Sequence, residues 1–170
     1  MNSTRVPKIR IVSACLDILV VDNNYFIGRA LVGQWEYHDL EQLVLSRAEK
    51  PKSNVILIED TGVGTALISA LKQRGLPFVA VKPEGDKKTR LLRHISKFAN
   101  GQVFLWKIAP GRADLETELF TFPGGQRSDL VDALSQALAY KHVRGVWTDQ
   151  ATENYNKLLF TLAISGCRFH

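Results

Sequence analysis

Val55-Ile56-Leu57-Ile58-Glu59-Asp60-Thr61-Gly62-Val63-Gly64-Thr65 is the stretch on which the fold turns. Four β-favouring residues in a row, with no polar alternation, predict a strand buried on both faces, as in parallel sheets. The run ends in two adjacent carboxylates and a glycine turn, and ligands of open α/β sheets gather at the carboxyl ends of such strands. By strand alternation Glu59 shares a face with Val55 and Leu57, while Asp60 points the other way. Only one of the two is therefore expected to act directly at a site, and Glu59 is the one chosen. Gly62-Val63-Gly64-Thr65 reads first as a tight strand-to-helix turn, and second as a helix N-terminus able to hold a phosphate.

Working outward, residues 9–21 and 25–32 are strand-like on either side of the turn residues Asp22-Asn23-Asn24, which predicts an antiparallel hairpin. Leu40, Leu43, Val44 and Ala48 recur at helical spacing after Asp39, with Pro51 beyond as a stop. A helix from about Thr65, with Leu67, Ala70 and Leu71 inward, closes at Gly75. A strand over 78–81 leads through Lys82-Pro83-Glu84-Gly85 into a helix carrying Leu91, Leu92, Ile95 and Phe98. A short strand at 103–105, a helix around 113–120, the turn Phe122-Pro123-Gly124-Gly125 and a helix over about 129–140 follow. Leu130, Leu134, Ala137 and Leu138 mark the apolar face of that last helix. Residues 141–170 are mixed and carry no legible motif. No internal repeat is present.

With 170 residues and 45% of them apolar, the chain is long enough to bury one sizeable core. The formal charge of +5 and a pI near 9.3 weakly favour a polyanionic partner. Cys15 and Cys167 lie far apart without metal-type spacing, which points to a reducing compartment and to no zinc site. No apolar run approaches the length of a membrane helix, and residues 1–7 lack the apolar stretch of a secretory signal, so a soluble, unsecreted protein is expected. His38, His94, His142 and His170 show no ligand spacing. Trp35, Trp106 and Trp147 are scattered and read as core rather than as base-stacking platforms.

Two further clusters can carry chemistry. Asp129 and Asp132 are three apart, so on a helix they share a face opposite the leucine stripe. They can clasp a metal, or they can form a capping box that needs none. Six lysines and arginines lie between Lys82 and Lys97. On a continuous helix from Asp86, Lys87, Arg90, His94 and Lys97 form one stripe, suited to DNA phosphates or simply to solvent.

The order hairpin, helix, strand, helix, strand, helix, then an acid-bearing terminal helix is similar to that of an RNase H-like nuclease from its second strand onward. Particular residues narrow it: Ile58-Glu59-Asp60 with Gly64-Thr65-Ala66-Leu67-Ile68, Lys82-Pro83 with Gly85-Asp86-Lys87 and Arg90, Phe98 with Gly101 and Val103, Glu118-Leu119 with Phe122-Pro123, and Asp129 through Val131-Asp132 to Leu138. Over roughly residues 12–140 these resemble the C-terminal nuclease domain of the large terminase subunit of tailed bacteriophages and prophages. The resemblance implies an α/β fold with an RNase H-like mixed sheet flanked by helices. It implies a metal-dependent endonuclease that cuts concatemeric viral DNA during genome packaging, with two Mg²⁺ or Mn²⁺ ions about 4 Å apart held by converging carboxylates. Glu59, Asp129 and Asp132 are the catalytic and metal-binding candidates it assigns, and Lys87, Arg90 and Lys97 the DNA-binding ones. Its implied partners are double-stranded DNA, the terminase ATPase domain, the small terminase subunit and the portal, in the bacterial host cytoplasm and away from membranes. No Gly-x-x-x-x-Gly-Lys-Ser/Thr phosphate loop is present, so this chain does not itself power translocation.

Three departures shape the expectation. The family's first strand, central in the sheet and bearing an Asp, should precede residue 9, yet Met1 to Lys8 contain no acid. Arg127-Ser128-Asp129 stands where the family has His-Asp-Asp. Gly111-Arg112 follows Ala109-Pro110 where the family has a Trp and an apolar residue. The expected organisation is an N-terminally incomplete nuclease domain over 1–140, lacking its central strand, and a tail over 141–170 of unknown role. An isolated chain of this kind is expected to fold and cleave poorly. The alternatives are a non-catalytic DNA-binding or prophage-remnant protein of RNase H-like fold, and a nucleotide- or small-molecule-binding module built on the Gly62–Thr65 turn.

Overall fold

Hairpin strands β1 (Ile9–Val21) and β2 (Asn24–Trp35) meet at Asp22 and Asn23, whose φ angles of 45° and 67° give the left-handed two-residue turn that matches strand twist. In this computed structural model, residues 9–49, 54–140 and 157–169 are described. The β1–β2 register shifts between Asp17 and Ile18, where Gly28 is left without a partner. Such a bulge reverses the phase of side chains along β2. Tyr25 and Ile27 before it, and Ala30 after it, consequently all enter the same core.

The chain continues through α1 (Tyr37–Ala48), β3 (Asn54–Glu59), α2 (Val63–Gln73), β4 (Val79–Val81), α3 (Lys87–Leu92), α4 (Ile95–Ala99), β5 (Val103–Leu105), α5 (Arg112–Thr121), α6 (Asp129–Ala139) and β6 (Lys157–Phe169). The result is a mixed six-stranded sheet in the order β4-β3-β6-β1-β2-β5. Strand β6 runs parallel to β3 and antiparallel to β1, so it occupies the centre. The expectation of a missing central strand is thereby corrected. Leu158-Leu159-Phe160-Thr161-Leu162-Ala163-Ile164 is an apolar, β-favouring run, and it supplies hydrogen-bond partners to two strands that would otherwise present open edges. Part of what read as a tail is thus the middle of the sheet; residues 141–156 lie outside the described residues, as does Trp147.

Helices cover both faces. On one, α5 and α6 pack Leu115, Leu130, Ala133, Leu134, Ala137 and Leu138 on Ala14, Leu16 and Ile18 of β1 and on β2. On the other, α1 and α2 pack Leu40, Val44, Leu45, Leu67 and Leu71 on Ile11, Cys15, Ile56 and Ile58. Alternation along β1 feeds both cores, as expected of a strand buried on both sides. The helix expected to run continuously from Asp86 is instead broken at Arg93 and His94. Phe98 packs against the core and Leu91 is partly buried, whereas Leu92 and Ile95 stand 50% and 57% exposed, contrary to the helical-face reading. Among the described residues, no helix is long and apolar enough to cross a membrane.

Candidate acidic site

Glu59 closes β3, and its side chain faces α6. Its Oε2 accepts a 2.6 Å hydrogen bond from Gln136 Nε2, and its Oε1 accepts one of 3.0 Å from Thr61 Oγ1. Asp60 is directed elsewhere: its Oδ1 accepts from Thr65 Oγ1 at 2.9 Å, while its amide donates to the Val81 carbonyl of β4. The two side chains project to different partners, as strand alternation predicts. The glycine turn makes this possible by close approach, since a Cβ on Gly64 would lie 1.8 Å from the Glu59 carbonyl oxygen. Only glycine lets the first turn of α2 sit directly on the strand end.

Helix α6 presents Asp129, Asp132 and Gln136 at positions i, i+3 and i+7, a polar stripe on a helix whose other residues, Ser135 apart, are apolar. Ser128 occupies the N-cap but its side chain makes no capping bond. The orphan amides are met from another element: Glu118 of α5, 4% exposed, accepts from Leu130 N at 2.8 Å and Val131 N at 3.4 Å through Oε2. Burial pushes the Glu118 carboxyl above its ordinary value, and those two amide bonds oppose the shift. With the cap supplied by Glu118, neither Asp129 nor Asp132 serves as one.

The aspartates are met by cations instead. Lys87 Nζ lies 3.1 Å from Asp129 Oδ1 and 3.8 Å from Asp132 Oδ2. Arg90 grips Asp132 Oδ1 through Nη2 at 2.6 Å and Nε at 3.1 Å, and its Nη1 donates to the Gly85 carbonyl. Lys97 Nζ donates to Tyr25 Oη at 2.8 Å and sits 4.5 Å from the centre of that ring. All three bases assigned to DNA by resemblance are therefore turned onto protein groups.

Glu59 thus reaches α6 through Gln136, with Asp132 one helical turn away, roughly 6 Å along the axis. Carboxylate and amide oxygens are the donor chemistry that hard divalent cations take. As arranged, however, the residues do not fit a pair of such ions. Among the described residues no three Asp, Glu, His or Cys side chains form a ligating group, Lys87 and Arg90 already neutralise the aspartates, and β6 carries no carboxylate in its sequence. Gln136 and Glu118 are the two residues that sequence reading missed. Gln136 could have been found by extending the Asp129–Asp132 spacing by one turn; nothing local to Glu118 announces that it caps a helix twelve residues on. The thiol of Cys15 is no nucleophile here, because burial, with the negative Asp17 nearby, holds it in its neutral form.

No family model, curated protein or solved structure matches this chain.

Proposed function

We propose that this chain is a nuclease domain of the terminase large-subunit type, RNase H-like in fold, whose acidic centre is closed by its own basic residues, so that it does not cleave DNA unaided. The observation that carries the reading is the bond between Glu59 and Gln136, which sets the end of β3 against the Asp129–Asp132 face of α6. Strand order supports it too: β6 lies parallel to β3 and antiparallel to the hairpin, the place the resemblance assigns to a first strand. What that strand lacks is the carboxylate. In this reading the domain's partners are double-stranded DNA and, by the resemblance, the terminase ATPase domain, small subunit and portal in a bacterial cytoplasm. Mg²⁺ or Mn²⁺ is the cofactor that the resemblance implies.

Supercoiled plasmid incubated with Mg²⁺ or Mn²⁺ tests this. The wild-type chain is expected to leave it intact. Ala163 follows the Ile58–Leu162 register pair and so stands beside Glu59 in the sheet. The double variant Ala163→Asp, Lys87→Ala restores a carboxylate there and frees Asp129, and it is expected to nick plasmid in a manner lost on adding Glu59→Ala. Cleavage by the wild type that Glu59→Ala abolishes would sink the claim of a closed centre. A folded double variant that still leaves plasmid intact would sink the terminase-type reading.

A further inference from the structure

We propose that the sheet face at the β1–β2 turn is a binding platform for single-stranded nucleic acid, with Phe104 and Trp106 stacking unpaired bases and Arg29 and Lys107 meeting the phosphates. Helix α1 covers this face only as far as Asp17, where Arg47 near its end pairs with that carboxylate at 3.2 Å. Beyond that point no described helix covers the sheet. Leu19, Phe26 and Phe104 lie side by side across β1, β2 and β5, and Phe26 and Phe104 stack with ring centres 4.7 Å apart and planes 12° from parallel.

The indole of Trp106 lies over the bulge glycine: a Cβ on Gly28 would be 3.6 Å from its ring. That is ordinary van der Waals contact, so the indole lies against the strand at the bulge while about half of its surface stays open. Phe104 and Trp106 remain 42% and 49% exposed, an unusual cost for two aromatic side chains on adjoining positions of one edge. Between them and Asp17 is a pocket of about 210 Å³ lined by Asp17, Leu19, Phe26, Gly28, Arg29 and Trp106.

Charge decides the occupant. The Arg29 side chain, 3.8 Å from the Asp17 carboxylate, lines the pocket and is 42% exposed. Lys107, exposed, follows Trp106, and the whole chain carries +5. Half-exposed aromatic rings beside cations suit bases whose own faces are unpaired and unstacked, with sequence tolerance, since every base has a π-face. A duplex offers no such face. This surface lies on the opposite side of the sheet from Glu59 and α6, and at the opposite end of β3, so the proposal stands apart from the nuclease reading.

Fluorescence anisotropy of a labelled oligothymidine of about 12 nucleotides, titrated with the full chain at low salt, provides the test. Trp106→Ala and Phe104→Ala are each expected to weaken binding about 5- to 150-fold, and Trp106→Phe to retain most of it. Arg29→Gln is expected to lower the slope of log K against log salt by about 0.7. Unlabelled duplex of equal length should compete poorly. Thermal unfolding of each variant checks folding, and Trp106→Leu, which keeps the contact with Gly28 but not the stack, replaces alanine if that substitution destabilises the chain. Equal binding by wild type and ring variants, equal competition by duplex, or a dimer in light scattering that Trp106→Ala dissociates, would each overturn the proposal, the last by showing a second copy of this chain on the face.

Discussion

Single residues set the acidic site, and two of them yield sharp expectations. Adding one methyl at Gly64 drives it into the Glu59 carbonyl, which is backbone and cannot swing aside. Gly64→Ala is expected to cost about 3 kcal/mol, at the upper end of overpacking effects, seen as a lower denaturant midpoint with an unchanged slope. Glu118 makes stability depend on pH. Its carboxyl is shifted upward on folding, chiefly by burial, so the folded state holds the proton more tightly than the unfolded one. The stabilisation from that difference is full below the ordinary carboxyl value of 4.5 and disappears as pH rises through the folded value above it. Denaturation of Glu118→Gln across this window should show that part of the slope removed; an unchanged profile would mean that other carboxyls set it. The orientation of Glu59 was legible because period-two alternation admits one answer once the strand is known. The place of Gln136 on the Asp129–Asp132 stripe was readable from helical spacing, but its bond to Glu59, 77 residues away, was not, and neither was the role of Glu118, whose partner lies 12 residues on in another helix.

Between elements, α3 is tied to α6 by charge. Arg90 and Asp132 have side chains only 14% and 5% exposed, so deleting one leaves the other desolvated without its partner. Arg90→Ala is expected to destabilise the fold by about 3 kcal/mol, and the double variant Arg90→Ala, Asp132→Ala by less than the sum of the two single changes. A double-mutant cycle by urea denaturation measures this, and strict additivity would mean the pair contributes no coupling. Long patterned elements were readable from sequence: α6 was expected over about 129–140 and spans Asp129–Ala139, and the hairpin turn fell where Asp22-Asn23 placed it. The break between α3 and α4 was not readable, because Leu91, Leu92, Ile95 and Phe98 satisfy helical periodicity equally well whether or not the backbone turns at Arg93 and His94. The Lys87–Arg90–Lys97 stripe failed with it as an outward surface. Seeing that Arg90 pairs with Asp132 required knowing that α3 lies against α6.

At the scale of the molecule, β6 is what joins the sheet. On one side it hydrogen-bonds to β3 and through it to β4; on the other it bonds to β1 and through it to β2 and β5. A chain ending at residue 140 is expected to lose cooperative unfolding, with protection of amides in both β1 and β3 lost together in hydrogen exchange. Retained protection in β1 alone would mean that the hairpin half is self-sufficient. From sequence the fold class was accessible, because apolar strands alternate with helices through residue 105, whereas the identity of the central strand was not. Nothing about an apolar run near residue 160 states which pair of strands it will separate. The topology also imposes a schedule on synthesis. Every other described strand leaves the ribosome before β6 does, so a growing chain carries two sheet fragments with facing unsatisfied edges until residues 157–169 emerge. The nascent protein is obliged to wait, and its most aggregation-prone interval is the time taken to translate from β3 to β6.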